Sequence, residues 1–134
     1  FILPQAIFGQ ALDSLRQAER ASSGDAKARL QQEIAALLTF KQPDSSLFYV
    51  DQAEKYYQET HRYNALIDCQ LQRVEVYNHL KDASEAIRYC QKALQIALEH
   101  PELKRAGDVY SKFGNAYYMD NDIDSSTFMY QQAM

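Results

Sequence analysis

The side chains able to do chemistry in this chain are three histidines, two cysteines and scattered carboxylates, so their spacing decides what reactions are open to it. His61, His79 and His100 fall in or beside inferred turns. None has a serine, cysteine or glutamate at a spacing that would make it a general base or a metal ligand. Cys69 and Cys90 stand 21 residues apart, outside any C-x-x-C pair and without a histidine at zinc-site spacing. Asp120 and Asp122 have the short acidic side chains of a calcium loop but not its remaining ligands, so their chemistry is that of a turn. No glycine-rich phosphate loop occurs. The inventory predicts no enzymatic activity, no metal and no cofactor. Both thiols are expected to be free core residues, which leans weakly toward a reducing compartment.

Composition narrows the class further. Of 134 residues 46% are hydrophobic, enough for one continuous core, while four Gly and three Pro leave few places to stop a helix. A formal net charge of −4 without a cluster of Lys and Arg argues against nucleic-acid binding, whose affinity comes largely from phosphate neutralisation. No run of about 18 apolar residues predicts a membrane span, and no signal-peptide pattern opens the chain. The expected compartment is cytoplasmic, or periplasmic if a leader has been removed. Because the chain opens on Phe1 and closes inside a repeat, it reads as a fragment or processed form of a longer protein.

The elements that must position these residues are helices. Apolar residues recur at spacings of three and four throughout: Ile7, Phe8, Ala11, Leu12, Leu15 and Ala18, then Leu30, Ile34, Leu37 and Leu38, then Leu47, Val50, Ala53 and Tyr57. Leu66, Ile67, Val74 and Tyr77 continue the pattern, followed by Ala86, Ile87, Cys90, Ala93, Leu94 and Ala97. Turn residues separate the runs. Gly24 suits a left-handed position, Asp25, Asp44 or Ser45, Asp82 and Asp122 suit helix caps, and Pro4 and Pro101 suit first turns. The spacing predicts seven helices, over 5–22, 25–41, 44–60, 63–80, 82–99, 101–119 and 122–134, with no strand. Phe1, Ile2, Leu3 and Phe8 read as an exposed apolar surface or self-association patch.

One frame recurs along the chain. Tyr110, Phe113, Gly114 and Tyr117 share a helix face, and Ser126, Tyr130 and Ala133 share a face of the next helix. Counting back 40 residues gives Gln70, Arg73, Val74, Tyr77, Ala86, Cys90 and Ala93. A further 40 gives Leu30, Glu33, Ile34, Leu37, Ser46, Val50 and Ala53. A partial copy over Ala11–Glu19 lines up with Ser46–Glu54 at an offset of 35. Small residues at Ser46, Ala86 and Ser126 and alanine at Ala53, Ala93 and Ala133 mark where helices touch, and Gly114 admits the closest approach.

This spacing resembles the tetratricopeptide (TPR) pattern W-x₂-L-G-x₂-Y…A-x₃-F. The resemblance covers about residues 5–134, with departures at Gln70, Arg73 and Glu33, no Trp, and repeats about six residues longer than the family's. It implies an all-α fold, a right-handed α-solenoid of antiparallel helical hairpins with about three and a half repeats. A single domain would comprise an unpaired helix in 5–24 and repeats over 25–62, 63–100 and 101–134.

The resemblance also implies a function: the first helix of each hairpin lines a concave groove that binds a peptide or protein segment. The faces opposite the packing stripe present Ala28, Gln31, Ala35, Leu38 and Thr39, then Asp68, Leu71, Gln72, Glu75, Asn78 and His79, then Asp108, Ser111, Lys112, Asn115, Tyr118 and Met119. Amides would satisfy a ligand's main chain, and Leu38, Leu71, Tyr118 and Met119 would offer apolar contact. Asp68, Glu75 and Asp108 against Lys112 alone favour a basic partner and disfavour the carboxylate clamp of chaperone-binding members. Asn78 and Asn115 are similar to the peptide-holding asparagines of TPR-like bacterial regulators. A peptide-sensing part of a transcriptional regulator or membrane sensor is one alternative, and a scaffold or homo-oligomer built through the terminal helices is another.

Overall fold

A computed structural model describes residues 4–134. Among these the chain forms seven α-helices and no strand: α1 (Gln5–Ala21), α2 (Gly24–Leu38), α3 (Pro43–Glu59), α4 (Tyr63–His79), α5 (Ala83–Glu99), α6 (Ala106–Met119) and α7 (Ile123–Ala133). Phe1, Ile2 and Leu3, expected to be an exposed patch, lie outside the described residues, whereas Phe8 is buried with Leu12, Ile34 and Leu38. Its ring carries Lys41 Nζ at 4.3 Å. Each helix packs on the next, most extensively within the pairs α2·α3, α4·α5 and α6·α7, and α4 also touches α6 and α2.

The core runs along this stack as adjoining clusters. Ala28, Ala35, Val50, Ala53, Tyr57 and Cys69 fill the α2–α3–α4 layer, and Val74, Ala86, Cys90, Phe113 and Ala116 fill the layer from α4 to α6. Burying each large aliphatic side chain stabilises the fold by roughly 1.5–3 kcal/mol. Both cysteines are free and buried, and burial pushes each thiol up to about 12.

The architecture is repeat-like. The alternation of buried and exposed positions over residues 41–60 recurs position for position over 81–100. Ser46 Oγ donates to Ala35 O at 2.7 Å and Ser126 Oγ donates to Gly114 O at 2.9 Å, so each serine hydroxyl is satisfied in a close helix contact. Ala86 holds the same place with no hydroxyl to satisfy. In the last pair the pattern opens, because among the described residues no helix packs on α7 from beyond. Tyr130 is 38% exposed where Val50 and Cys90 are fully buried.

The 40-residue count slips by one in α2. The turns α3–α4, α4–α5 and α6–α7 have three residues each, with left-handed His61 (φ 55), Lys81 (φ 61) and Asn121 (φ 61). The α2–α3 turn has four, Thr39 to Gln42, none left-handed, and Pro43 starts α3. α2 therefore matches α4 at an offset of 39, and Ala35, Val74 and Gly114 are the equivalent positions. Ala28, Gln31, Ala35, Leu38 and Thr39, expected on an open face, are all buried. Glu33, counted into the packing stripe, is exposed.

Other expectations differ at the helix ends. α2 stops at Leu38, and neither Asp44 nor Ser45 caps α3, whose N-cap is Gln42. Gly24 is left-handed as expected (φ 60), but Asp25 pairs with Arg62 at 2.9 Å instead of capping. Asp82 and Asp122 do cap, accepting from Glu85 N at 3.2 Å and Ser125 N at 3.1 Å. The expected helix 101–119 is split: Pro101–Leu103 is a 3₁₀ turn, Lys104 is left-handed (φ 56), and α6 begins at Ala106.

Gln70 and Arg73, polar where the frame wants apolar residues, form a buried network. Arg73 donates to both carboxylate oxygens of Glu54 (2.7 and 2.9 Å), to Asp51 (2.6 Å) and to Gln70 Oε1 (3.0 Å), while Gln70 donates to Glu54. Burial alone would lower the guanidinium pKa, but these partners hold it above its ordinary value. The α3–α4 contact thus replaces apolar packing with a fully paired charge.

Candidate functional site

Two clefts meet between α2 and α4. The first, about 630 Å³, lies at the N-terminal ends of both helices beside the α3–α4 turn and Leu103. The second, about 440 Å³, continues along the same helices as far as Ala36 and Glu75. Arg29, Gln32 and Asp68 border both, which makes one trough.

Its floor is a chain of amides. Tyr57 OH donates to Gln32 Oε1 at 2.8 Å, and Gln72 Nε2 donates to Gln32 O at 2.9 Å. Burial pushes the Tyr57 hydroxyl up to about 12, so it remains a donor across the physiological range. These bonds tie α3, α2 and α4 together. They also mean that two of the amides expected to hold a ligand's main chain already donate within the protein, Gln72 to Gln32 O and Gln31 to Glu19 at 3.1 Å.

The trough gathers only part of the expected set. Asp68, Leu71 and Glu75 border it, with Gln72. Gln31 and Leu38 are excluded by burial, the consequence of the one-residue slip in α2. Asp108, Ser111, Lys112, Asn115 and Tyr118 lie on α6 and border neither cleft. Asn115 accepts a hydrogen bond from Tyr130 OH, so its carbonyl is engaged. Asn78 and Met119 share a separate recess of about 40 Å³ beside the α4–α5 turn.

Charge in the trough also departs from expectation. Arg105, placed by the left-handed Lys104 just before α6, donates to Asp68 at 2.7 Å, Asp108 at 3.3 Å and Asn64 Oδ1 at 2.6 Å. Two of the three carboxylates counted as an acidic face therefore share one guanidinium, which halves the excess negative charge assigned to that face. Arg29, Gln32, Glu33, Ala36, Tyr57 and Arg62 border the trough although the frame did not select them. Counting α2 one residue later would have found Arg29, Gln32 and Ala36, and carrying Gln72 of the α4 face back by 39 residues finds Glu33. Nothing in the helical periodicity marks Arg105, which depends on the break after Leu103.

The histidines are side features of this surface. His61 borders the first cleft, and His100 stacks on Tyr63, another lining residue, at 3.8 Å between ring centroids. His79 meets Phe40 edge to face at 5.1 Å. Among the described residues no group of three or more His, Cys, Asp or Glu side chains is arranged to hold a metal ion, and no helix is long and apolar enough to cross a membrane. Comparison with protein-family models and with curated proteins finds no match to this chain.

Proposed function

We propose that this chain is a TPR-like interaction module that binds a peptide or protein segment in the trough between α2 and α4, without chemistry of its own. The observation that carries the reading is the continuity of the two clefts across Arg29, Gln32 and Asp68 on a floor held rigid by Tyr57, Gln32 and Gln72. A concave, preformed surface with apolar stations at Ala36 and Leu71 and polar side chains between them suits an extended segment better than a compact small molecule. The stacked pairing of α2·α3, α4·α5 and α6·α7 supports the family resemblance and a solenoid. A sensor part of a larger regulator is compatible with the same trough.

The test is a peptide-library screen followed by NMR titration of the ¹⁵N-labelled protein. Amide shifts should centre on Gln32, Ala36, Leu71 and Gln72, and Ala36→Trp, which fills the second cleft from an exposed position, should weaken binding at least tenfold. Shifts centred elsewhere, or full affinity in Ala36→Trp, would refute the trough.

A second reading, self-association, is favoured by α7. Ile123 and Phe128 are 52% and 54% exposed, beside the half-open Tyr130. Concentration-dependent sedimentation that Phe128→Ser abolishes would support it.

A further inference from the structure

The trough is unevenly charged, and this inference rests on the peptide-binding reading above. Arg62 is paired with Asp25 and Asp68 with Arg105. Among the described residues no ion pair engages the other three charges that border the trough, Arg29, Glu33 and Glu75. They are also segregated. Arg29 stands where the two clefts join, whereas Glu33 and Glu75 border the second cleft only.

Backbone charge runs the same way. α2 and α4 are separated by one antiparallel helix and so point in one direction, with their N-termini at the first cleft. Neither Ser23 nor Arg62 caps them by a side chain, so free N–H groups add partial positive charge at the Arg29 end. Carbonyl ends lie beyond Glu75. Arg29 is level with Asp68 in the 39-residue offset, and Glu75 is seven residues further along α4, or about 10 Å at 1.5 Å per residue.

We infer that the trough selects an extended peptide of dipolar charge: one acidic side chain at the Arg29 end and one Lys or Arg at the Glu33 and Glu75 end, about three residues away. A polyproline-II-like strand puts residues i and i+3 on one side about 9 Å apart, which matches that span. The residues between them cross Leu71, with Ala36 level with Glu75 at the far end, and should be apolar. A uniformly basic segment would set the repulsion of Arg29 against the attraction of the two carboxylates, and a uniformly acidic one the reverse, so the arrangement favours a segment that carries both signs.

The experiment uses four hexapeptides capped at both ends, Gly-Asp-Ala-Leu-Lys-Gly, its Lys/Asp exchange, and the forms with two Asp or two Lys, titrated by NMR at low salt. Capping removes terminal charges, so the readout reports side chains alone. The wild type should bind the better dipolar peptide about two- to fivefold more tightly than either uniform one, the scale of exposed charge pairs, with the difference lost at about 0.5 M salt. Arg29→Glu should shift the preference to the double-Lys peptide, and Glu33→Lys with Glu75→Lys to the double-Asp peptide. All three exchanges together should restore preference for a dipolar one. All the exchanged positions are exposed, and circular dichroism checks that each variant folds.

The same ranking of peptides by all four proteins would overturn the charge polarity. If that ranking is unchanged but Ala36→Trp still blocks binding, the trough stands and only its polarity falls. If Ala36→Trp binds normally, or no peptide binds, the trough itself is wrong and this inference falls with it.

Discussion

Replacing Gly114 by alanine tests the close helix contact on which the repeat register depends. A Cβ built at Gly114 would lie 2.7 Å from both Cδ1 and Cε1 of Tyr130 and 3.1 Å from Cζ. Carbon atoms pack best at about 3.5–4.0 Å, so the ring must move by nearly 1 Å. That movement costs packing and the Tyr130 hydrogen bond to Asn115. Overpacking of this kind typically costs about 1–3 kcal/mol. Alanine gains about 0.8–1.0 kcal/mol over glycine in a helix interior, so Gly114→Ala should be neutral to about 2 kcal/mol destabilising. In a Tyr130→Ala background the clash is gone and only the propensity gain remains, so the same change should stabilise by about 1 kcal/mol. Urea denaturation followed by circular dichroism on the four proteins of the cycle gives the coupling, expected at about 1–3 kcal/mol. Additivity within about 0.5 kcal/mol, or a full stabilisation of Gly114→Ala in the wild type, would refute the contact.

Further outcomes follow from the buried groups. Arg73→Ala should cost about 3–5 kcal/mol by urea denaturation, because Glu54 is left partly buried without its bidentate partner. Exchanging Arg73 and Glu54 together for apolar residues should cost markedly less. Burial by itself would raise the Glu54 carboxyl, but the hydrogen bonds and charge of Arg73, with the Gln70 hydrogen bond, outweigh it and hold the group below its ordinary 4.5. Its contribution is therefore complete above about pH 4.5 and lost as pH falls through the folded value, so Glu54→Gln should flatten the acid limb of a stability–pH curve. Cys69 and Cys90, whose thiols burial pushes up to about 12, should resist Ellman's reagent at pH 8 in the folded protein and both react in urea. A fast-reacting native thiol would contradict their place in the core.

Much of the fold was legible because local signals agreed with one another. Apolar periodicity and the recurring frame together marked all seven helices, and of the four carboxylates expected to cap, Asp82 and Asp122 do so while Asp25 and Asp44 do not. The core positions Val50, Ala53, Cys90 and Ala93 followed from repetition, since a position that recurs at fixed spacing faces the same neighbour each time. Turn length was not legible. Thr39-Phe40-Lys41-Gln42 holds one residue more than its counterparts, and that residue rotates α2 by about 100°, enough to carry Gln31 and Leu38 from an inferred open face into the core. Arg105 was equally hidden, because a single left-handed residue at Lys104 aims it at Asp68 across 37 residues of chain. Periodicity reports which residues prefer to be buried, a property each carries with it. Which charges meet across the trough depends on where whole helices are set by their turns, and only the packed structure decides that.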